Sequence, residues 1–478
     1  MNKAGIAAGT LALLVAAAGA GSWYTGTQLE SVLRDSVGKA NQQLAAQFPG
    51  SEMALEIVEF KRGVLASEAR YRLALPASGD DAAPSELFIR DRIEHGPLPL
   101  SRLVSLRWMP VMAVSHAELE PSEALSGLFA ASRERAPVMV NSSIGYRNDI
   151  TGNVRVAPMT HVEDDIHLSF SGLDAQFATD TLGSRVVMNG RVDSLTIEGD
   201  EQANLVGVEF ELDRRREGEY GLYLGDGQMT LDSIAMEGPQ GPTLVLQDIV
   251  QTDSTTLGAD GVKGVLNVQM GAISYAGKPL GSLRMDWSLS RLDPAATATL
   301  GGVYNTFSMG IEPDDTSALQ EQVVAALEQL LQGKPRLALD NLSIRTANGE
   351  SRFNLGVDFN QPVSFDLEPG LLAQQLVGGL DANLTLSKPM LSDMVRYRAL
   401  FEPGADAAAV EQEAQMAAEM AGGMAEMMQL GRIEGDNILS SLRYADGMID
   451  LNGQSIPLED FLGLLAMMSP EASSALLE

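Results

Sequence analysis

The chain has 478 residues, no cysteine, and 64 acidic against 33 basic side chains, a net charge of −31. The missing thiols exclude a disulfide framework, a thiolate metal site and an acylated lipoprotein cysteine. The negative balance argues against a nucleic-acid partner, because a phosphate backbone calls for a basic surface; it suits a dispersed, hydrated protein.

Residues 4–24 carry no charge. As a helix they span about 31 Å, against a hydrocarbon core of roughly 30 Å. Lys3 ahead of them favours the cytoplasmic side, so the rest of the chain faces outward. Trp23 and Tyr24 suit the far membrane interface. A cleaved signal peptide is the rival reading, with Ala18-Gly19-Ala20 as the cleavage site. An apolar helical spacing resumes at once through Leu29, Leu33, Val37, Ala40 and Leu44, which favours an uncleaved anchor over 1–25 and a juxtamembrane helix over 26–49.

Next comes IEHGPLPLSRL, in which His95, Gly96 and Pro97 follow a strand pattern. A lone histidine with no nucleophile or orienting carboxylate beside it reads as a turn fixed by hydrogen bonds rather than as a general base. HVEDDIH places His161, Glu163, Asp165 and His167 on one face if the stretch is a single strand. Same-face neighbours lie ~6.6 Å apart, so one ion reaches two of the four at most. The simpler reading is a wet strand face, and no metal centre is assigned; His161 and His167 stay as the candidates.

Three stretches then recur with a period of 39 residues: VDSLTIEG from Val192, LDSIAMEG from Leu231 and MGAISYAG from Met270. Each is followed by another alternating run, and Gly and Asp punctuate the joints. This is the pattern of long antiparallel strands that must stack to bury an apolar face. The β domain is placed at 50–315, with the repeats near 192–290. Runs such as Leu244-Val245-Leu246 put apolar residues on both faces, which suits a lined groove or a second packed layer.

Residues 316–478 read as an α+β domain. A stripe of Leu319, Val323, Ala326, Leu327 and Leu330 marks a helix over 317–332, stopped by Gly333 and Pro335. A second helix covers 405–430. There Met416, Met420, Met424 and Met427 fall on one face, and Gly422-Gly423 weakens the helix midway. Core helix, lid over an apolar ligand site and partner contact all fit such a soft stripe. The tail DFLGLLAMM reads as a short fourth helix.

Several stretches together resemble the bacterial YdgA-like family, whose function is unknown: GSWYTGTQLE, FKRGVLASEARY, IEHGPLPL, KPRLALDNLSI and YADGMIDLNGQSIPL. Their order and spacing match along nearly the whole chain. The resemblance implies an uncleaved inner-membrane anchor with the bulk of the chain in the periplasm, and it brings no catalytic residues. The expected fold is therefore α+β and mostly β: a transmembrane helix, then long twisted antiparallel sheets built from β repeats, with a few packed helices. The expected role is non-enzymatic and without cofactor, with a lipid or other amphipathic ligand held along the sheet. The alternatives are an envelope scaffold and, last, a metal-dependent hydrolase around His161 and His167.

Overall fold

The computed structural model describes residues 29–461, except 52, 76–84, 164, 239–240, 242, 309–315, 402–405 and 459. The expected membrane span, with Trp23 and Tyr24, lies outside the described residues, as does most of the expected tail helix. Among the described residues no helix is long and apolar enough to cross a membrane.

The chain is mostly β and forms two compact units. The first lies within Met1–Asp232 and Pro294–Leu327, the second within Ser233–Asp293 and Glu328–Glu478. The strand pairings among the described residues are antiparallel.

Helix α1 (Leu29–Gln47) opens the first unit. Strands β1 (Ala54–Lys61), β2 (Ala66–Leu75) and β3 (Ser85–His95) follow, then helix α2 (Leu100–Val104), β4 (Ala113–Leu119) and helix α3 (Ser126–Ser132). Next come β5 (Val138–Ile144), β6 (Asp149–Val156), β7 (Met159–Glu163), β8 (Ile166–Phe170) and β9 (Leu173–Asp180). The repeat region is six strands of 14–16 residues. They are β10 (Arg185–Glu198), β11 (Gln202–Glu217), β12 (Leu222–Glu237), β13 (Leu244–Gly258), β14 (Gly261–Tyr275) and β15 (Lys278–Leu292). Each 39-residue period is thus two long strands, as the alternation anticipates.

Helices α4 (Pro294–Ser308) and α5 (Thr316–Gln332) come next, then β16 (Arg336–Arg345), β17 (Glu350–Phe359), α6 (Pro369–Leu376) and β18 (Val377–Ser387). The remainder is α7 (Lys388–Arg398), α8 (Ala407–Met427), β19 (Arg432–Glu434), β20 (Asn437–Ala445), β21 (Met448–Leu451) and β22 (Gln454–Pro457). Among the described residues there are eight helices, three of them (α1, α5 and α8) at the expected places. The additions are short except α4, whose Thr- and Gly-rich sequence carries little helical signal and which Pro294 opens.

The first unit's core forms where α1 lays its apolar stripe on the sheet. Leu33, Val37, Ala40, Leu44 and Phe48 are buried with Leu55, Tyr71, Ile93, Val140, Ile150 and Phe177. The stripe follows the helical spacing read in the sequence, so packing rather than propensity holds α1 in place. One polar residue on this face is fully used. Asn41 Nδ2 donates to Leu55 O at 2.9 Å, and Leu55 N donates to Asn41 Oδ1 at 2.8 Å. Asn41→Ala is expected to lower stability by about 1–2 kcal/mol, since both backbone groups of Leu55 lose their partner; urea unfolding of the first unit measures it. Helix α4 returns to this layer, where Thr306 Oγ1 donates to Pro49 O at 3.2 Å.

Candidate functional site

Successive strand side chains point to opposite faces, and cross-strand partners share one. Applied to the second unit, this builds continuous apolar rows. Val268 of β14 faces Met285 of β15, which faces Leu342 of β16, then Phe353 of β17 and Leu384 of β18. A second row runs Leu266, Trp287, Leu339, Leu355 and Ala382. A third runs Leu289, Leu337, Val357 and Leu380. The rows stay on one face although the β15–β16 register shifts between Asp286 and Trp287. Trp287 pairs with Leu339 and Asp286 with Asn341, so Asp340 is the extra residue of a bulge and Leu342, three residues on, shares the face of Leu339.

Among the described residues this face is not closed over. Leu266 is 37% exposed and Leu337 38%. Most of the other members are half-buried, and Leu339 alone of the three rows is buried. An antiparallel sheet ordinarily packs its apolar face on a core, so rows left partly open make this face the candidate site.

The opposite face is polar. Gln269, Arg284, Ser343, Arg352 and Thr385 line up across it. Arg336 reaches Asp358 and Asp381, both at 2.6 Å, and Asp358 also pairs with Arg291. Glu350 takes both Arg345 and Arg352, and those guanidiniums, Arg352 first, hold its carboxyl at about 2. Exposed pairs of this kind add little stability; they make the two sides of the sheet chemically distinct. At one end Asp393 of α7 accepts from Thr346 Oγ1 at 2.6 Å, Asn348 Nδ2 at 2.8 Å and Arg396 Nη1 at 3.0 Å. Its burial alone raises its pKa, and these hydrogen bonds bring it below the usual value. Asp393 thereby ties the β16–β17 turn to α7.

The residues picked from the sequence fall in separate places. Helix α8 runs unbroken through Gly422 and Gly423 and packs through buried Ala414 and Gly422, where a Cβ would stand 3.1 Å from Ile433 Cδ1. Met416, Met420, Met424 and Met427 are all exposed, so these side chains are not core. His161 and His167 do not sit on one strand. The chain turns back between β7 and β8, pairing His161 with Leu168 and Val162 with His167, which sends the two imidazoles to opposite faces. One ion cannot bridge them, and among the described residues no cluster of His, Asp and Glu suits a metal. His95 ends β3; its Nε2 lies 3.0 Å from Ser67 Oγ, and the Gly96–Pro97 bond is cis. The open face itself was half visible in the sequence: Leu283, Met285, Trp287 and Leu289 alternate plainly, but their joining into rows is set by pairings that no local pattern records.

A mostly β, antiparallel protein with an open apolar sheet face is the class that fold and site define. The chain belongs to a family described as bacterial protein of unknown function (DUF945), whose model matches residues 1–459. It is 28% identical to Protein YdgA of Escherichia coli K12, over 98% of this chain and 97% of that one. It is 22% identical to the uncharacterised protein YihF of the same organism, over 95% of this chain and 97% of the other. An uncharacterised protein of Haemophilus influenzae matches at 23% identity over 33% of this chain and 42% of its own. No solved structure matches.

Proposed function

We propose that this is a non-enzymatic protein of the bacterial envelope, held in the inner membrane by residues 4–24, with its bulk in the periplasm, and that it takes up the acyl chain of a lipid on the apolar face of the second unit. The open rows across β14–β18 carry the reading. Five strands at ~4.8 Å spacing make a strip about 19 Å wide, the length scale of a fatty acyl chain. Each methylene transferred onto it is worth about 0.8 kcal/mol. The uncharged stretch behind Lys3 supports the address.

A photoreactive, diazirine-bearing phosphatidylglycerol irradiated with the full chain in detergent tests it. Adducts are expected on peptides from β14–β17. Adducts confined to residues 1–28 would remove the sheet from the reading and leave only the anchor.

The exposed methionine stripe on α8 favours a second reading, an envelope scaffold that docks a partner there. Four side chains on one helix offer much less apolar surface than the sheet face, so this reading ranks behind.

A further inference from the structure

The first unit carries an apolar surface of a different kind, which does not depend on the lipid reading of the second unit. The loop between β1 and β2 and the segment between β3 and β4 meet at one end of the sheet. The registers that pair Ala66 with Glu94 and His95 with Ala113 place them there. His95 N donates to Leu65 O at 2.9 Å, Gly96 N to Met112 O at 2.8 Å and Val111 N to Pro97 O at 3.0 Å. At Gly96 a Cβ would stand 1.9 Å from Val111 O, so only glycine permits this closure. The His-Gly-Pro motif is therefore the base of a two-loop tip.

The tip presents apolar side chains outward. Val64 is 93% exposed, Val104 78%, Met109 77% and Trp108 64%. The run 104–110 is exposed throughout. Leu106 within it holds φ 57, a left-handed conformation that leucine rarely adopts. Such free-standing side chains project into their surroundings instead of walling a groove.

Charge reverses at the same place. Neither 60–67 nor 95–117 contains an acidic residue, in a chain of net charge −31. The two stretches hold Lys61, Arg62, Arg102 and Arg107. Arg62 and Arg107 are exposed, and among the described residues neither is held in an ion pair. Projecting Leu, Met and Val with a tryptophan, ringed by cations, is the composition that settles at the headgroup level of an anionic bilayer.

We propose that this tip is a membrane-docking surface: Val64, Leu106, Trp108 and Met109 enter the interface of an anionic bilayer while Arg62 and Arg107 meet lipid phosphates.

The absence of native cysteine makes the test direct. The full chain bearing Leu106→Cys, or Val162→Cys as an exposed control away from the tip, is labelled with an environment-sensitive NBD dye. It is then mixed with phosphatidylcholine vesicles made with or without phosphatidylglycerol. Flotation records whether the chain binds at all, and the dye records the tip. The expected result is a brighter, blue-shifted dye at 106 with phosphatidylglycerol, quenched by lipid-borne quenchers, and an unchanged dye at 162. Adding Arg62→Glu and Arg107→Glu shifts the phosphatidylglycerol dependence by on the order of tenfold. A chain that floats while the dye at 106 stays in water overturns the proposal and leaves the anchor standing. A dye at 106 that is shielded from water yet not quenched by lipid-borne quenchers overturns it in favour of a protein contact.

Discussion

Asp91→Asn is expected to stabilise the first unit at pH 7.5 and to be neutral or destabilising at pH 4. Asp91 lies on β3 with no exposed surface. Its Oδ1 accepts from Ser115 Oγ at 2.7 Å, and its Oδ2 has no partner among the described residues. Burial raises its pKa from 3.8 to about 6, against the pull of the Ser115 hydrogen bond and of His116. The buried Tyr71 hydroxyl is raised too, by burial first and by the Asp91 charge second.

For an acid whose folded pKa lies above its unfolded value, the native state holds the proton more tightly. No cost exists below pH 3.8; it grows between pH 3.8 and 6 and stays constant above. The interval corresponds to about 3 kcal/mol at 1.36 kcal/mol per pH unit. Asparagine removes that cost but buries an amide donor whose second side lacks a partner, at about 1–3 kcal/mol. The net gain at pH 7.5 is therefore about 1 kcal/mol. The sharper quantity is the difference between variant and parent, which should change by about 2.4 kcal/mol from pH 4 to pH 7. Urea unfolding of the first unit at both pH values measures it, and a pH-independent difference would mean that Asp91 is already ionised at little cost.

Asp91 also shows what the sequence could and could not convey. In FIRDRIEH the Arg-Asp-Arg run reads as solvated charge, yet Ile89, Asp91 and Ile93 share a parity, and the two isoleucines are core. Period two pointed inward; charge pointed outward; the backbone period won. The long strands of the repeat region were legible because alternation and turn punctuation are local. So were α1 and α5, each a stripe with a fixed helical spacing. Helix α4 was not, because Thr and Gly in its sequence weaken every local signal. The β7–β8 hairpin was missed because the one turn signal in HVEDDIH is its Asp pair, and Asp165 was read as a ligand instead, so four side chains seemed to share a face that the turn divides. The open apolar face was beyond local reading for another reason: the bulge at Asp340 breaks the parity between Leu339 and Leu342, and only pairing with β15 and β17 restores it.

Two added charges on that face are expected to abolish acyl labelling, while the same two charges on its reverse do nothing. Leu266→Glu with Leu342→Glu places a carboxylate in each of two adjacent rows. Both positions are open enough for the carboxylates to stay hydrated in the unliganded protein, Leu266 at 37% exposure and Leu342 half-buried, so the fold tolerates them. An acyl chain laid over them must desolvate charge at a cost of several kcal/mol. Each 1.4 kcal/mol is tenfold, so photolabelling of β14–β17 should fall by more than tenfold. The control is Gln269→Glu with Asn383→Glu. Gln269 follows Val268 and Asn383 precedes Leu384, so both belong to the polar face, and Arg284 stands opposite Gln269 to receive the new charge. Loss in the first variant alone assigns the ligand to the apolar rows. Equal loss in both would show that net charge, not the face, governs labelling. Unchanged labelling in both would show that the rows are open for some purpose other than holding an acyl chain, and the methionine stripe of α8 would then be the better place to look for a partner.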